Sequence, residues 1–277
     1  MTPLLNYKIF LPESPLSNTQ PPLIILHGLL GAMDNWRSQA KHLSTSQTVI
    51  TVDLRNHGDS PHVKGMSYRE MADDIIALTK HENIASFDLL GHSMGGKVAM
   101  HLALAHSKRV NRLIVVDIAP KAYPLWHQKI LQVLINTPLQ TLQTRQEIND
   151  FLSEWIADRT ERAFMLKNLK RTNKVSSQKK QNLQQAPHQN YQWRCNIPEI
   201  SKNYLKIAGF SKTTQQYSKQ TLFIKGENSS YIEESDSTLI NTLFPNATIV
   251  SIKNSGHLPH FEQADTFFQQ VKKFLNN

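Results

Sequence analysis

Short apolar runs separated by polar segments recur along the chain, and each has the length expected of a buried strand. Between several of these runs, apolar residues recur at helical spacing. In the clearest case, Ser67 and Glu70 form a capping box ahead of an apolar stripe, which predicts a helix from Ser67 to Lys80. The predicted strands are Tyr7 to Phe10, Leu23 to Leu26, Val49 to Asp53, Phe87 to Leu90, Leu113 to Asp117, Leu222 to Lys225 and Ala247 to Ile252.

This order of elements predicts an α/β fold. Strands that alternate with helices favour a mostly parallel central sheet with helices on both faces. The alternation stops from about Pro120 to Ser218, a segment rich in Gln, Asn and Lys in which we predict several short helices and no strand. We therefore expect a core formed by residues 1–119 and 216–277, with a helical cap insertion at 120–215. The polar stretch from Ser176 to Gln185 is typical of a loop.

Composition excludes several classes of protein. The 277 residues suit one large domain or a domain with an insertion. The sequence shows no basic N-terminal region followed by an apolar run, and no apolar stretch long enough to span a bilayer, so we predict a cytoplasmic protein. The single cysteine, Cys195, cannot form an internal disulfide, and we interpret it as a passive side chain.

The segment Gly91-His92-Ser93-Met94-Gly95 fits the G-x-S-x-G pattern of a nucleophile elbow. A predicted strand precedes it, and small and apolar residues at helical spacing follow it. The serine would then lie where a strand turns sharply into a helix, a turn that strains its backbone and exposes Oγ. This context, more than the bare pattern, makes Ser93 the predicted nucleophile.

An acyl-transfer enzyme needs donors for the developing oxyanion, and His27-Gly28-Leu29-Leu30-Gly31 follows the strand that ends at Leu26. In an elbow enzyme one N–H comes from this loop and one from the residue after the nucleophile, which gives Leu29 and Met94. Alternatively, this segment is an ordinary glycine-rich loop after a strand, with no catalytic role. We assign substrate contacts to His27, Gly28 and Trp36.

A serine hydroxyl needs a base, and the triad order of this fold places the histidine last in the chain. His257 follows the final predicted strand and is the expected base. His260, three residues later, suggests a metal-binding pair as an alternative, but no third ligand lies nearby in the sequence, so we predict neither metal nor organic cofactor. We expect His92 to pack against the elbow.

The acid of the triad is the least regular member. It often lies three residues after a glycine that ends the penultimate strand, but Gly226-Glu227-Asn228-Ser229 puts a serine there. Asp117 ends another predicted strand at the same carboxyl edge of the sheet and is the favoured acid. The alternatives are Glu227, Glu233, Glu234 and Asp236.

Four motifs together resemble one family. Asp53-Leu54-Arg55-Asn56-His57-Gly58-Asp59-Ser60, the elbow with Gly96-Lys97, Val116-Asp117-Ile118-Ala119-Pro120 and Gly226 to Tyr231 are similar to the YbfF-like esterases of the α/β-hydrolase fold. The resemblance covers both core segments but not the insertion. It implies that the triad aspartate comes from the sixth strand of that fold, here Asp117. It also implies hydrolysis of small acyl esters and, in some members, acyl-CoA thioesters.

The positive charge is concentrated in the insertion. Residues 120–219 carry 16 Lys and Arg against 6 Asp and Glu, whereas the rest of the chain carries 15 against 16. Basic charge over the mouth of a hydrolase would attract an anionic substrate such as a CoA ester; the alternative is a solvated helix face. Nucleic-acid binding is disfavoured because no recognition motif accompanies the charge. The densest run contains Arg162, Lys167, Lys170, Arg171, Lys174, Lys179 and Lys180.

These observations predict a serine hydrolase, an esterase or thioesterase that acts through Ser93, His257, Asp117 and an acyl-enzyme. Its partner would be a small-molecule acyl ester or acyl-CoA. A carbon–carbon bond hydrolase or lyase similar to menaquinone-pathway enzymes would share these residues and remains an alternative. A non-catalytic hydrolase-like binding protein is less favoured, because such proteins usually lose the serine or histidine. Dehalogenases and epoxide hydrolases carry aspartate where this chain has Ser93.

Overall fold

The computed structural model describes residues 2–12, 20–172 and 190–276. All seven predicted strands are present and form one sheet. Within these ranges the strands are β1 (Tyr7–Phe10), β2 (Leu23–Leu26), β3 (Val49–Val52), β4 (Phe87–His92), β5 (Val110–Val116), β6 (Leu169–Thr172), β7 (Asn190–Trp193), β8 (Thr221–Gly226) and β9 (Ala247–Ile252).

The central sheet has the order β1-β3-β2-β4-β5-β8-β9. Strand β1 runs antiparallel to β3, and every other neighbouring pair is parallel. Successive side chains of a strand point to opposite faces. Accordingly, Ile24 and Leu26 enter the apolar core on one face, whereas Leu23 and Ile25 enter the core on the other. The α/β fold predicted from the sequence is confirmed.

Helices cover both faces of this sheet. The capping box predicted at Ser67 is present, with the Ser67 hydroxyl accepting from the N–H of Glu70. The helices are α1 (Arg37–Leu43), α2 (Tyr68–His81), α3 (Met94–Ala105), α4 (Gln128–Asn136), α5 (Arg145–Ser153), α6 (Arg159–Leu166), α7 (Ile197–Lys202), α8 (Tyr204–Ala208), α9 (Ser237–Leu243), α10 (Pro259–Glu262) and α11 (Ala264–Asn276), with 3₁₀ turns at Met33–Trp36 and Glu234–Asp236. None of the helices in the described ranges is long and apolar enough to cross a membrane.

The segment predicted as an insertion, residues 120–215, contains α4 to α8 and also a strand pair. Strands β6 and β7 pair antiparallel, with Leu169 opposite Trp193. The expectation of no strand in this segment was wrong. The Leu-Lys-Arg-Thr of β6 shows no apolar alternation, and the alternation of Tyr191 and Trp193 with polar residues in β7 covers only four residues. The loop predicted from Ser176 to Gln185, with Lys174, Lys179 and Lys180, lies outside the described residues.

A hydrogen bond joins two residues near the ends of the insertion. The N–H of Tyr123 donates to the carbonyl of Ala208 at 2.9 Å. A second hydrogen bond attaches the middle of the insertion to the core: the Asn168 side chain donates to the carbonyl of Leu30 at 2.6 Å. Cys195 is buried beside it with its thiol donating to Asn168 Oδ1 at 3.1 Å, and burial raises the thiol pKa to about 12.

Candidate active site

Ser93 lies at the sharp turn between β4 and α3. Its backbone adopts φ 52° and ψ −117°, a strained conformation for a residue with a side chain. The flanking glycines are required by contact: a Cβ on Gly91 would come 2.2 Å from the carbonyl oxygen of Gly95, and one on Gly95 would come 2.5 Å from that of His27. The strand-to-helix elbow predicted from the sequence is therefore present.

His257 and Asp117 lie beside this serine. His257 follows β9, and its Nε2 is 3.0 Å from Ser93 Oγ. Its Nδ1 is 2.8 Å from Oδ2 of Asp117, which follows β5 and is fully buried. The strands β4, β5, β8 and β9 are parallel, so the loops after their carboxyl ends converge on one edge of the sheet. The structure thus brings together three residues that are far apart in the sequence.

The Asp117 carboxylate is held by two further donors. The N–H of Gly226 donates to Oδ1 at 2.9 Å, and the Ser229 hydroxyl donates to Oδ2. Ser229 occupies the position after β8 where the acid is often found. Here it supplies a hydrogen bond to an acid that comes from β5. The sequence showed that a carboxylate was missing at this position but gave no sign of the role of the hydroxyl.

The alternative acids lie elsewhere. Glu227 accepts from the N–H of Asn254 at 3.0 Å. Lys121 pairs with Glu233 at 3.3 Å and with Asp236 at 2.7 Å. Glu234 belongs to the adjoining 3₁₀ turn. Of the five candidates, the structure brings Asp117 to His257.

Leu29 and Met94, the predicted oxyanion donors, line the same pocket as Ser93. Within the described ranges, neither backbone N–H donates to another group. The loop is held in shape by the N–H of Gly31, which donates to the carbonyl of Gly28 at 3.0 Å. Two free N–H groups beside the serine are what an oxyanion site needs.

The predicted substrate contacts are placed differently. His27 is buried: its Nε2 accepts from the N–H of Leu54 at 3.0 Å and its Nδ1 donates to the carbonyl of Gly28 at 2.8 Å. Burial lowers the His27 pKa to about 4. Trp36 is buried against His260, with ring centroids 4.1 Å apart. His27, Gly28 and Trp36 are not among the residues that line the described pocket, and their contact with substrate stays a prediction.

The remaining histidines near the elbow also form a support. His92 Nε2 donates to the carbonyl of His257 at 2.8 Å, and the two rings lie 4.8 Å apart. Burial holds the pKa of His92 well below its usual value, so this ring is neutral. Burial also lowers the pKa of His260, to about 3. His92 therefore packs against the elbow and links it to the loop that carries His257.

Aromatic side chains form much of the pocket wall, a role that the sequence motifs did not predict. The Tyr231 ring stacks on the His257 imidazole at 3.7 Å, and Trp126 meets Tyr231 edge-on at 5.1 Å. Tyr123 donates its hydroxyl to the carbonyl of Tyr231 at 2.5 Å. The cavity beside Ser93 has a volume of about 40 Å³. Tyr123 and Trp126 closely follow the motif Val116 to Pro120 in the sequence, and that proximity is the signal that could have found them.

The family follows from this geometry and from comparison with known proteins. A family model described as the alpha/beta hydrolase fold matches residues 21–264. The chain belongs to the α/β-hydrolase fold family. It is 35% identical over 274 residues to a putative esterase/lipase of Haemophilus influenzae, covering 99% of this chain and 88% of that protein.

Two further relatives refine the position within the α/β-hydrolases. The chain is 30% identical to the esterase YbfF of Escherichia coli, covering 92% of this chain and 93% of YbfF. A solved structure of a marine microorganism esterase superposes with a TM-score of 0.88 at 37% identity, covering 98% of this chain and 99% of that one. The resemblance to YbfF-like esterases is confirmed.

Proposed function

We propose that this protein is a serine esterase that hydrolyses small acyl esters through an acyl-enzyme on Ser93. The observation that carries the proposal is the chain of contacts from Ser93 Oγ to His257 to Asp117 on the wall of a pocket. The names of the esterase relatives support the same reaction class.

In the first half of the reaction, Ser93 Oγ bonds to the ester carbonyl carbon while His257 Nε2 takes the hydroxyl proton. The carbonyl oxygen becomes an oxyanion and accepts hydrogen bonds from the N–H groups of Leu29 and Met94. Asp117 orients the imidazole and stabilises its protonated form. His257 then gives its proton to the leaving oxygen, the bond from that oxygen to the carbonyl carbon breaks, and the acyl-enzyme remains.

In the second half, His257 Nε2 takes a proton from water as the water oxygen bonds to the acyl carbon. A second oxyanion forms in the same site. Its collapse breaks the bond to Ser93 Oγ, which recovers its proton from His257, and the carboxylic acid leaves. A thioester would follow the same steps with a thiol as leaving group, and we extend the proposal to acyl-CoA thioesters on the basis of the basic insertion.

The pocket supports a short acyl group. The cavity beside Ser93 is small, about 40 Å³, and aromatic rings from both the core and the insertion narrow it. We therefore propose that acetyl to butyryl esters react faster than long-chain esters.

The test uses Ser93→Ala and His257→Ala with p-nitrophenyl acetate, butyrate and decanoate. Each substitution should lower kcat by roughly 10⁶-fold, the order measured when a triad serine or histidine is removed. A fluorophosphonate should label the wild type once, at Ser93. His81→Ala is the matched control, because His81 is exposed on α2 and should leave turnover unchanged. Full activity in either triad variant, or labelling of another residue, would contradict the mechanism.

A further inference from the structure

Lys97 is a buried amine that the proposed reaction does not use. It lies one turn after Ser93 on α3 and is 2% exposed. Its Nζ donates to the carbonyls of Ala208 and Gly209, both at 2.8 Å. It also lies 4.6 Å from the centroid of the Tyr123 ring, on the wall of the pocket that contains Ser93.

The charge on this ammonium lacks a counterion. An ammonium has three N–H donors, and in the described ranges two of the three meet carbonyls and none meets a carboxylate. Burial alone lowers the Lys97 pKa to about 7. A buried unpaired charge is costly, and a carboxylate brought to it would gain a strong charge-assisted hydrogen bond. Lys121 gives the contrast, because it meets the carboxylates of Glu233 and Asp236.

The spacing fits an anionic acyl chain. Lys97 follows Ser93 by one turn, since its N–H donates to the carbonyl of Ser93 at 3.1 Å. Both residues line one cavity. A short acyl group attached to Ser93 Oγ would therefore share this cavity with the ammonium.

We propose that Lys97 forms a carboxylate subsite, so that the preferred acyl groups are those of short dicarboxylic half-esters. This inference rests on the proposed function, because it names the substrate class of the same serine. During acylation the free carboxylate of the substrate would pair with Nζ while its ester carbonyl meets Ser93.

The experiment compares monomethyl succinate with dimethyl succinate, measured by methanol release. The two esters have the same acyl length and leaving group and differ in one charge. In the wild type, kcat/KM for the half-ester should equal or exceed that for the diester. In Lys97→Met the ratio of the two should fall at least tenfold, whereas in the control Lys121→Met it should not change. Any loosening of the insertion by Lys97→Met would lower both rates together and leave the ratio unaffected.

An unchanged ratio in a folded Lys97→Met protein would overturn the subsite. If that variant does not fold, the test is the ratio of kcat/KM for the half-ester to that for the diester, measured on the wild type between pH 6 and pH 9. It should fall by about tenfold per pH unit once Lys97 loses its proton, and a constant ratio would overturn the subsite. His257 takes part in the hydrolysis of both esters, so its contribution cancels in the ratio of the two kcat/KM values. The other titratable groups around Lys97 stay neutral over this range, because burial raises the pKa values of Tyr68, Tyr123, Tyr204 and Tyr231 and lowers that of His127 to about 4.

Failure of the proposed function itself would look different. In that case neither methyl ester would be hydrolysed and the fluorophosphonate would not label Ser93.

Discussion

The carboxylate of Asp117 contacts the imidazole of His257, the N–H of Gly226 and the hydroxyl of Ser229. The sequence favours Asp117 as the acid because it follows a strand at the carboxyl edge of the sheet, and its Oδ2 lies 2.8 Å from His257 Nδ1. The role of Ser229 could not be predicted, because a serine at the usual position of the acid shows only that the carboxylate is absent there. The folded structure is needed to see that the Ser229 hydroxyl donates to Asp117, the carboxylate that contacts His257 instead.

This pair gives the prediction at the residue scale. Asp117→Asn should lower kcat by roughly 10³ to 10⁴, because the imidazole loses both its orientation and its counter-charge. Ser229 contacts the same Oδ2 that meets His257. The double variant Asp117→Asn with Ser229→Asp should therefore recover part of the loss, since it returns a carboxylate to within reach of the imidazole. Steady-state kinetics with p-nitrophenyl butyrate measure both effects.

Glu227→Gln is the matched control, because Glu227 binds the backbone of Asn254 instead of His257. It should change kcat little. If Glu227→Gln were the damaging change and Asp117→Asn the mild one, the assignment of the acid would be wrong.

At the scale of elements, the sheet was predictable and the insertion was not. Strands such as β2 and β3 are buried along their whole length. The sequence of β2 is an unbroken apolar run, and that of β3 is interrupted only by Thr51. Strand β6 is half exposed and contains adjacent Lys170 and Arg171. Its strand conformation depends on its pairing with β7, and such a tertiary preference leaves no local pattern.

The start of α2 shows how local sequence sets an element boundary. Ser67→Ala removes the hydroxyl that accepts from the N–H of Glu70, so it should lower the free energy of unfolding by about 1 kcal/mol. Urea denaturation measures the change. Ser211→Ala, at an exposed serine with no hydrogen bond in the described ranges, should have little effect. Equal losses in both variants would mean that the cap contributes nothing specific.

The molecule as a whole should be sensitive to acid because several histidines are buried in the neutral form. Burial lowers the pKa of His27 to about 4 and those of His57 and His260 to about 3. Their unfolded pKa is about 6.5. The unfolded chain therefore binds more protons between about pH 6.5 and pH 4, and the stability these groups contribute is full above pH 6.5 and is lost as the pH falls.

Each such histidine should add a slope of about 1.4 kcal/mol per pH unit in this window. Urea denaturation between pH 7.5 and pH 4.5 measures the total slope. His260→Phe, which keeps a ring against Trp36, should reduce the slope by about one histidine's share. An unchanged slope in that variant would show that His260 does not contribute.

The basic insertion gives a prediction about encounter with substrate. Part of its charge is paired with the core, since Lys170 and Arg194 meet Asp59 at 3.2 and 3.1 Å. If the rest steers anions, kcat/KM for an acyl-CoA should fall steeply with salt, while a neutral p-nitrophenyl ester should hardly respond. Lys167→Gln with Arg171→Gln should weaken the salt response. The control is Lys272→Gln with Lys273→Gln, which removes the same amount of charge from α11 and should leave the salt response unchanged. Equal salt responses for the acyl-CoA and the neutral ester would show that the basic run is a solvated surface.

The hydrogen bond between Tyr123 and Ala208 has a consequence for how such enzymes diversify. Because the chain leaves the core near Tyr123 and returns to it near Ala208, the segment between these two residues can change in length without changing the lengths of the paths that carry Ser93, Asp117 and His257. Lineages that trade this segment would keep one reaction while changing the molecules they accept.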